Sequence, residues 1–356
     1  MAQHEVSAAT RLAAGPDEKE WSKIKDDAPP DKGGIGYVGL GAMGGALARN
    51  LCATHSLVVH DRDYASAHAL TDAGARPVGN LDQVAASCDI VFLCLPTSDQ
   101  VTEVLVGPGG LADKLVPGSV VIDQTTGDPA VTRRLAGELA DRGIVLVDAP
   151  VSGGVPRALD GTIAMMVGAG DDDFARISPL LASMTPNVFH AGDVGAGHAM
   201  KLVNNLMSGV QRLLTFECLA LAAKSGIAPD RAHEILMAGG ARNSFLEKVV
   251  GPSILGGAAA PDFSIKLSHK DVRLACQMAS LEGVPVFLGV QAREILQMCM
   301  AVVGPDAEVD QAALVLERLS GTRIVSSPAI FKKPPVVNMT DATEHCPPAT
   351  TPEDSQ

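Results

Sequence analysis

Residues 35–51 read IGYVGLGAMGGALARNL. A short apolar run, Ile35–Leu40, passes through closely spaced glycines into Ala42–Ala53, an apolar stretch with helical spacing. That is a strand, a tight turn and a helix, the opening of a strand–helix–strand unit. The alternation continues downstream. Ser56–His60 (SLVVH) reads as a second strand and Ala65–Ala73 as its helix. Asp89–Leu95 (DIVFLCL), Ser119–Asp123 (SVVID) and Ile144–Asp148 (IVLVD) are apolar almost throughout, as parallel strands covered on both faces are. Pro129–Arg142 is a helix, and Ala164–Val167 and Val188–His190 are short strands around helix Phe174–Met184. The fold class is therefore α/β, with a doubly wound sheet.

After Gly195 no strand pattern returns. Gly195–Gly226, GAGHAMKLVNNLMSGVQRLLTFECLALAAKSG, is the longest helical pattern in the chain and closes on a glycine. Leu202, Leu206, Leu213, Leu214, Leu219 and Leu221 surround most of its circumference, so it is expected to be buried on several sides. Shorter helices follow at about 229–238, 266–282, 285–302 and 309–319. The chain divides accordingly into a flexible arm at 1–32 around Trp21, an α/β domain at 33–194 and an all-α domain at 195–321 entered through one long helix. A proline-rich, disordered tail is expected at 322–356.

The chain has 356 residues, 46% hydrophobic and 19% charged, enough for two domains with their own cores. Its net charge of −13 argues against a nucleic-acid partner and against an anionic membrane surface. No apolar run approaches a membrane span on this reading. Seven cysteines without a CxxC pair suggest reduced, mostly buried thiols. The nine histidines show no ligand spacing, so no metal is expected. Glu5, Asp17, Glu18 and Glu20 in the first residues argue against a signal or transit peptide, and a cytoplasmic location is expected, with a mitochondrial one as the alternative.

Gly39-Leu-Gly41-Ala-Met-Gly44 fits GxGxxG. The glycines serve a tight turn, close approach of backbone to a pyrophosphate, and close packing of helix on strand; the N–H groups of Gly41, Ala42, Met43 and Gly44 then face the phosphates. Gly34-Ile-Gly36-Tyr-Val-Gly39 matches as well, but would put the turn inside the strand. Asp61 ends the second strand 20 residues after Gly41, where an acidic group binds the ribose 2′-OH of NAD. Arg62 follows it and could hold a 2′-phosphate, which makes NADP the alternative cofactor. The domain at 33–194 is thus a Rossmann-type dinucleotide-binding domain. A packing loop without cofactor is the competing structural explanation.

Other polar residues cluster at strand ends, where open α/β sheets bind ligands. They are Leu95-Pro96-Thr97, Asp123-Gln-Thr125-Thr126 and Asp148-Ala-Pro-Val-Ser152-Gly153-Gly154. Ser152-Gly153-Gly154 can offer successive N–H groups and one hydroxyl to a carboxylate, though a bare SGG is more often an ordinary turn. In the long helix, Lys201 and Asn205 are four apart and share a face beside Asn204. A lysine there either snorkels to water or is held in a site.

Taken in order, these motifs resemble the β-hydroxyacid dehydrogenase family, which includes 3-hydroxyisobutyrate dehydrogenase. GYVGLGAMGGALARNL is similar to its cofactor fingerprint and DAPVSGGVPRALDGTIAMMVG to its substrate motif. GAGHAMKLVNN is similar to its catalytic motif and KDVRLA at 270–275 to its last block. The resemblance covers about residues 34–320. It implies that Lys201 is the catalytic lysine with Asn205 as its substrate-orienting companion, and that Ser152, Gly153, Gly154 and Thr125 hold the substrate carboxylate and its surroundings. It also implies that Lys270 closes the site and that Leu95, Pro96, Gln100 and Thr126 line the nicotinamide side. Thr125 stands where serine is more usual, and Ala169 replaces a frequent glycine.

Alcohol oxidation by NAD needs a base for the hydroxyl proton, and a lysine serves only where burial or nearby positive charge favours the neutral amine. His198 reads as a helix-start residue rather than a base, and His269 likewise. The expected activity is NAD(P)-dependent interconversion of a short 3-hydroxy acid and its semialdehyde or oxo acid, with a homodimer or homotetramer as the assembly. Glyoxylate or succinic semialdehyde reduction and threonate oxidation are the alternatives within the family, and a non-catalytic nucleotide-binding scaffold is the alternative of another class. Imine reductases usually lack a lysine at the position of Lys201. The substrate is expected to be a small anionic hydroxy acid or aldehyde, with Arg157, Arg242 and Phe263 as candidates for its specificity.

Overall fold

The computed structural model describes residues 34–261 and 263–332. The arm at 1–32 with Trp21, and the tail beyond 332, lie outside the described residues. The described chain forms two compact units that divide between Lys201 and Leu202.

In the first unit the strands and helices run β1 (Gly34–Val38), α1 (Ala42–Cys52), β2 (Leu57–His60), α2 (Tyr64–His68), β3 (Arg76–Pro77), α3 (Leu81–Ser87), β4 (Cys88–Leu93), α4 (Ser98–Val106), β5 (Val120–Asp123), α5 (Pro129–Ala140) and β6 (Val145–Asp148). β7 (Val151–Ser152), α6 (Gly154–Leu159), β8 (Ala164–Gly168), α7 (Asp171–Ala182) and β9 (Val188–Gly192) follow. They build one sheet in the order β3-β2-β1-β4-β5-β6-β8-β7, with β9 paired to β8. β3 through β6 are mutually parallel, and β8 runs antiparallel to β6 and β7. The chain reverses its winding between β1 and β4, which leaves a crevice at the carboxyl ends of those strands. Two apolar layers cover the sheet, one around Leu47, Phe92 and Val147 and one around Val91, Leu105 and Leu139.

The reason for the glycine-rich turn is steric. A Cβ at Gly44 would overlap the Gly39 carbonyl oxygen, and Gly39 itself has φ +92°. α1 can therefore pack directly on the turn only with hydrogen at these positions.

The long helix α8 (Ala196–Lys224) leads into the second unit, followed by α9 (Pro229–Ala238), a wide π-helix (Leu246–Leu255), α10 (Ile265–Leu281), α11 (Phe287–Val303) and α12 (Ala312–Ser320). The π-helix escaped the sequence reading because Gly251 and Pro252 interrupt its periodicity. Leu213, Phe216 and Leu219 of α8 enter the core with Val250, Val272 and Leu296. Phe216 meets Phe245 edge-on at 5.5 Å, and Arg212 lies over the Phe245 ring while pairing with buried Asp310 at 2.7 Å.

Four expectations need correction. The first turn of α8 belongs to the α/β unit, so the boundary falls at 201/202 rather than 194/195; the hydrogen bonds responsible are described below. Leu214 (54% exposed) and Leu221 (69%) are not buried, so α8 is covered on fewer sides than its leucines suggest. By length and composition α8 is also apolar enough to cross a membrane, although the sequence reading found no such run. Its Arg212–Asp310 pair and buried Phe216 and Leu219 make it the central helix of a folded core. The ordered chain also continues past residue 321. Ile324, Val325, Ile330 and Phe331 are buried, and the Glu317 carboxylate accepts from the N–H groups of Ile324 and Val325. Four apolar side chains around Ser326, Ser327 and Pro328 show no helical period, and so they read as tail.

Candidate active site

At the start of α1 no side chain caps Gly41 and the first turn carries no acidic residue, so no side chain competes with an anion for its N–H groups. Nothing stands within 4 Å of a Cβ built on Gly41, while Ala42 is exposed and Met43 half-buried. Asp61, at the tip of β2, accepts from Leu40 N–H at 2.6 Å and Asp63 N–H at 2.8 Å. The carboxylate is thereby fixed beside the glycine turn with lone pairs left for a ribose hydroxyl. Beside it lies a cavity of about 280 Å³ lined by His60, Arg62, Asn80, Leu81 and Lys114 among others. Burial lowers the His60 pKa, so its ring, bonded through Nδ1 to the Val78 carbonyl, is a neutral wall of this cavity. In the first turn of α4, Gln100 Oε1 is buried without a hydrogen-bond partner among the described residues. A buried acceptor left open fits a ligand that brings its own N–H or O–H donors. These features fit a dinucleotide.

Two of the strand-end loops are brought together within the first unit. Thr125 Oγ1 accepts from Leu95 N–H at 3.1 Å, which ties the loop after β5 to the loop after β4. The Thr125 N–H donates to Asp123 at 3.0 Å, and its hydroxyl is bonded to the same carboxyl. The hydroxyl hydrogen of Thr125 is thus engaged inside the protein, which leaves a carboxylate less to hold than its place in the motif suggests. Burial raises the Asp123 pKa, with the nearby Asp148 charge acting in the same direction, while His198 and the Thr125 hydrogen bonds oppose it. Ser152 ends β7, and Gly153 (φ 142°) and Gly154 (φ 82°) turn the chain into α6 in conformations that side chains disfavour. Arg157 lies against Gly153.

Lys201 stands near the start of α8 and is 8% exposed. The helix start is held by Asp148, fully buried at the end of β6, whose two carboxylate oxygens accept from Gly195 N–H at 2.6 Å and His198 N–H at 2.7 Å. Gly197 allows this approach, because a Cβ there would overlap the Met166 carbonyl oxygen. The GAGH spacing before Lys201 is therefore a docking device for the helix terminus.

In the helical unit Asn205 donates to Asp271 Oδ2 at 2.7 Å, and Lys270 pairs with Asp271 Oδ1 at 3.2 Å. Asn204 donates to Asn205 Oδ1 at 3.0 Å. Asp271, 4% exposed, thus gathers two of the expected site residues. Sequence reasoning passed over it and Thr132, and named Asp123 and Asp148 in their strand-end runs without giving either a role. The available signal was the placement of acidic residues at the ends of apolar strands and directly after Lys270. Arg242 forms a surface pair with Glu247 and Phe263 packs on the helical core, so neither stands out as a ligand group.

Residues 34–192 match the family model described as the NAD binding domain of 6-phosphogluconate dehydrogenase. Residues 195–316 match that described as NAD-binding of NADP-dependent 3-hydroxyisobutyrate dehydrogenase. The 2-(hydroxymethyl)glutarate dehydrogenase of Eubacterium barkeri is 35% identical over 292 residues, 82% of this chain and 97% of that one. The chain belongs to the β-hydroxyacid dehydrogenase family. Human mitochondrial 3-hydroxyisobutyrate dehydrogenase is 35% identical over 274 residues, covering 75% of this chain and 82% of its own. Among solved structures, Mycobacterium tuberculosis 3-hydroxyisobutyrate dehydrogenase with L-serine superposes with a TM-score of 0.71 at 26% identity, covering 80% of this chain and 99% of that one. This β-hydroxyacid dehydrogenase is an NAD(P)-dependent oxidoreductase acting on the CH–OH group of a 3-hydroxy acid.

Proposed function

We propose that the enzyme interconverts 3-hydroxyisobutyrate, or a short hydroxy acid close to it, and the corresponding semialdehyde, with Lys201 as the proton carrier. The observation that carries this reading is the burial of Lys201. It is the one lysine among the described residues that is buried, and it sits on a helix terminus fixed by two hydrogen bonds to Asp148. A solvated lysine would snorkel, whereas a held one can meet a substrate hydroxyl in one geometry. When bound, NAD(P) supplies the hydride acceptor at its nicotinamide ring. In the oxidation Lys201 takes the hydroxyl proton, and in the reduction it returns a proton to the carbonyl oxygen.

Ser152, Gly153 and Gly154 hold the substrate carboxylate through a hydroxyl and successive N–H groups, with Thr125 shaping the neighbouring wall. Asn205 orients the substrate, and Lys270 adds the positive charge that a chain of net charge −13 otherwise lacks for an anion. Gly39, Gly41, Ala42, Met43 and Gly44 hold the pyrophosphate, Asp61 the ribose, and Leu95, Pro96, Gln100 and Thr126 the nicotinamide side. Asp61 favours NAD over NADP. The exposed Met207, Leu214 and Leu221 of α8 and Phe287 and Leu288 of α11 support a homodimer or homotetramer, and the location is cytoplasmic in this reading.

The test is absorbance of the reduced nicotinamide with purified protein, both cofactors, and a panel holding 3-hydroxyisobutyrate, 2-(hydroxymethyl)glutarate, threonate, glycerate, glyoxylate, tartronate semialdehyde and succinic semialdehyde. The highest kcat/KM is expected for 3-hydroxyisobutyrate. A preference for 2-(hydroxymethyl)glutarate or for glyoxylate would overturn the substrate while leaving the reaction class.

A further inference from the structure

A buried polar chain within the first unit ties the turn that carries Lys201 to the loop that carries Thr125. His198 stands one turn before Lys201 on α8 and is wholly buried. Its Nδ1 lies 2.7 Å from Thr132 Oγ1 on α5. The Thr132 hydroxyl donates to the Asp128 carbonyl at 3.0 Å, and a carbonyl can only accept. The hydroxyl hydrogen is thus spent on Asp128, and its oxygen accepts from His198 Nδ1–H. Nε2 then points toward Asp123 Oδ2 at 3.9 Å and has no hydrogen-bond partner among the described residues. Gly127 gives the ring its room, since a Cβ there would stand 2.9 Å from His198 Cε1. Asp123 in turn fixes Thr125, and Thr125 fixes Leu95.

We propose that His198, held by Thr132 and facing Asp123, is a positioning residue that sets the turn bearing Lys201 against the Thr125 and Leu95 loops. The inference rests on the reading of Lys201 as proton carrier. His198 does not exchange the substrate's proton itself, because one nitrogen is committed to Thr132 and the other faces Asp123 in the protein interior. Its work is to hold a distance, and misplacement of a reacting group by about 1 Å is enough to slow a reaction by about 100-fold.

The test compares full-length His198→Ala, Thr132→Val, the double variant and Lys201→Ala. In His198→Ala, kcat is expected to fall about 10- to 100-fold, with a smaller loss in Thr132→Val. NADH affinity, read by fluorescence, stays as in wild type. The double variant is expected to lose no more than His198→Ala alone, because the two side chains act as one unit. Thr132→Val matters most: valine matches threonine in shape and carries no proton, so its loss of kcat reads position alone, and it serves if His198→Ala does not fold. A second measurement needs no substrate. Carbamylation of Lys201 by cyanate, followed by peptide mass spectrometry, is expected to quicken in both single variants as the turn loosens. Wild-type kcat and carbamylation rates in either folded single variant would overturn the proposal, and so would losses that multiply in the double. Failure of the underlying reading looks different, since Lys201→Ala would then turn over like wild type.

Discussion

Asp148→Ala is expected to loosen the start of α8 and lower the melting temperature by an amount that the hydrogen bonds allow one to work out. The carboxylate is fully buried and accepts two N–H donors at 2.6 and 2.7 Å. Hydrogen bonds to a charged group contribute about 1.5–3 kcal/mol each, so the pair is worth roughly 3–6 kcal/mol. Removing a buried charge returns some of its desolvation cost, which brings the net loss to about 2–4 kcal/mol. At about 2–4 °C per kcal/mol for chains of this order, the first calorimetric transition should fall by roughly 5–15 °C. Asn presents one acceptor and one donor where two acceptors are needed, so Asp148→Asn should fall between wild type and alanine. Asp171→Ala is the control: that side chain is 98% exposed, and its effect should stay within about 0.5 kcal/mol. Differential scanning calorimetry of the three variants decides the matter. An Asp148→Ala protein that melts with wild type would mean that the helix terminus is held by its packing and not by this carboxylate.

Lys201→Ala should lower kcat by about 10²- to 10⁴-fold, the usual worth of a positioned proton-transfer group, with NADH binding by fluorescence intact. Lys201→Arg should be nearly as inactive, because a guanidinium does not release its proton at working pH; substantial turnover would place the base elsewhere. Asp61→Ser should shift the kcat/KM preference toward NADP, and a wild type that already prefers NADPH would refute the ribose role of Asp61. Burial raises the Glu317 pKa above its ordinary 4.5, with the Val325 and Ile324 N–H groups and Arg323 pulling the other way. A carboxyl raised in the folded state favours folding when protonated. That contribution is complete below about pH 4.5 and is lost as pH rises through the raised value. Wild type should therefore gain melting temperature relative to Glu317→Gln on acidification, and parallel pH curves would refute this.

Local pattern made the α/β half legible. Fully apolar strands such as SVVID and IVLVD, the glycine turn at 39–44 and Asp61 at the end of the second strand each follow from chemistry that neighbouring residues supply, so they can be read from spacing alone. The four motifs in order were enough to point to the family, because their combination is far more specific than any one of them. What the sequence could not show is where long-range partners meet. That Asp148 caps a helix starting 48 residues later, that Thr132 fixes the tautomer of His198, and that Asp271 gathers Asn205 and Lys270 depend on contacts between elements far apart in the chain. The sequence also could not tell which leucines of α8 are covered, since periodicity gives the faces of a helix but not what lies against them. The same holds at the other end of the chain, where Ile324 and Phe331 lack any period and are ordered only because the helical core offers them a surface and Glu317 holds the backbone leading to it.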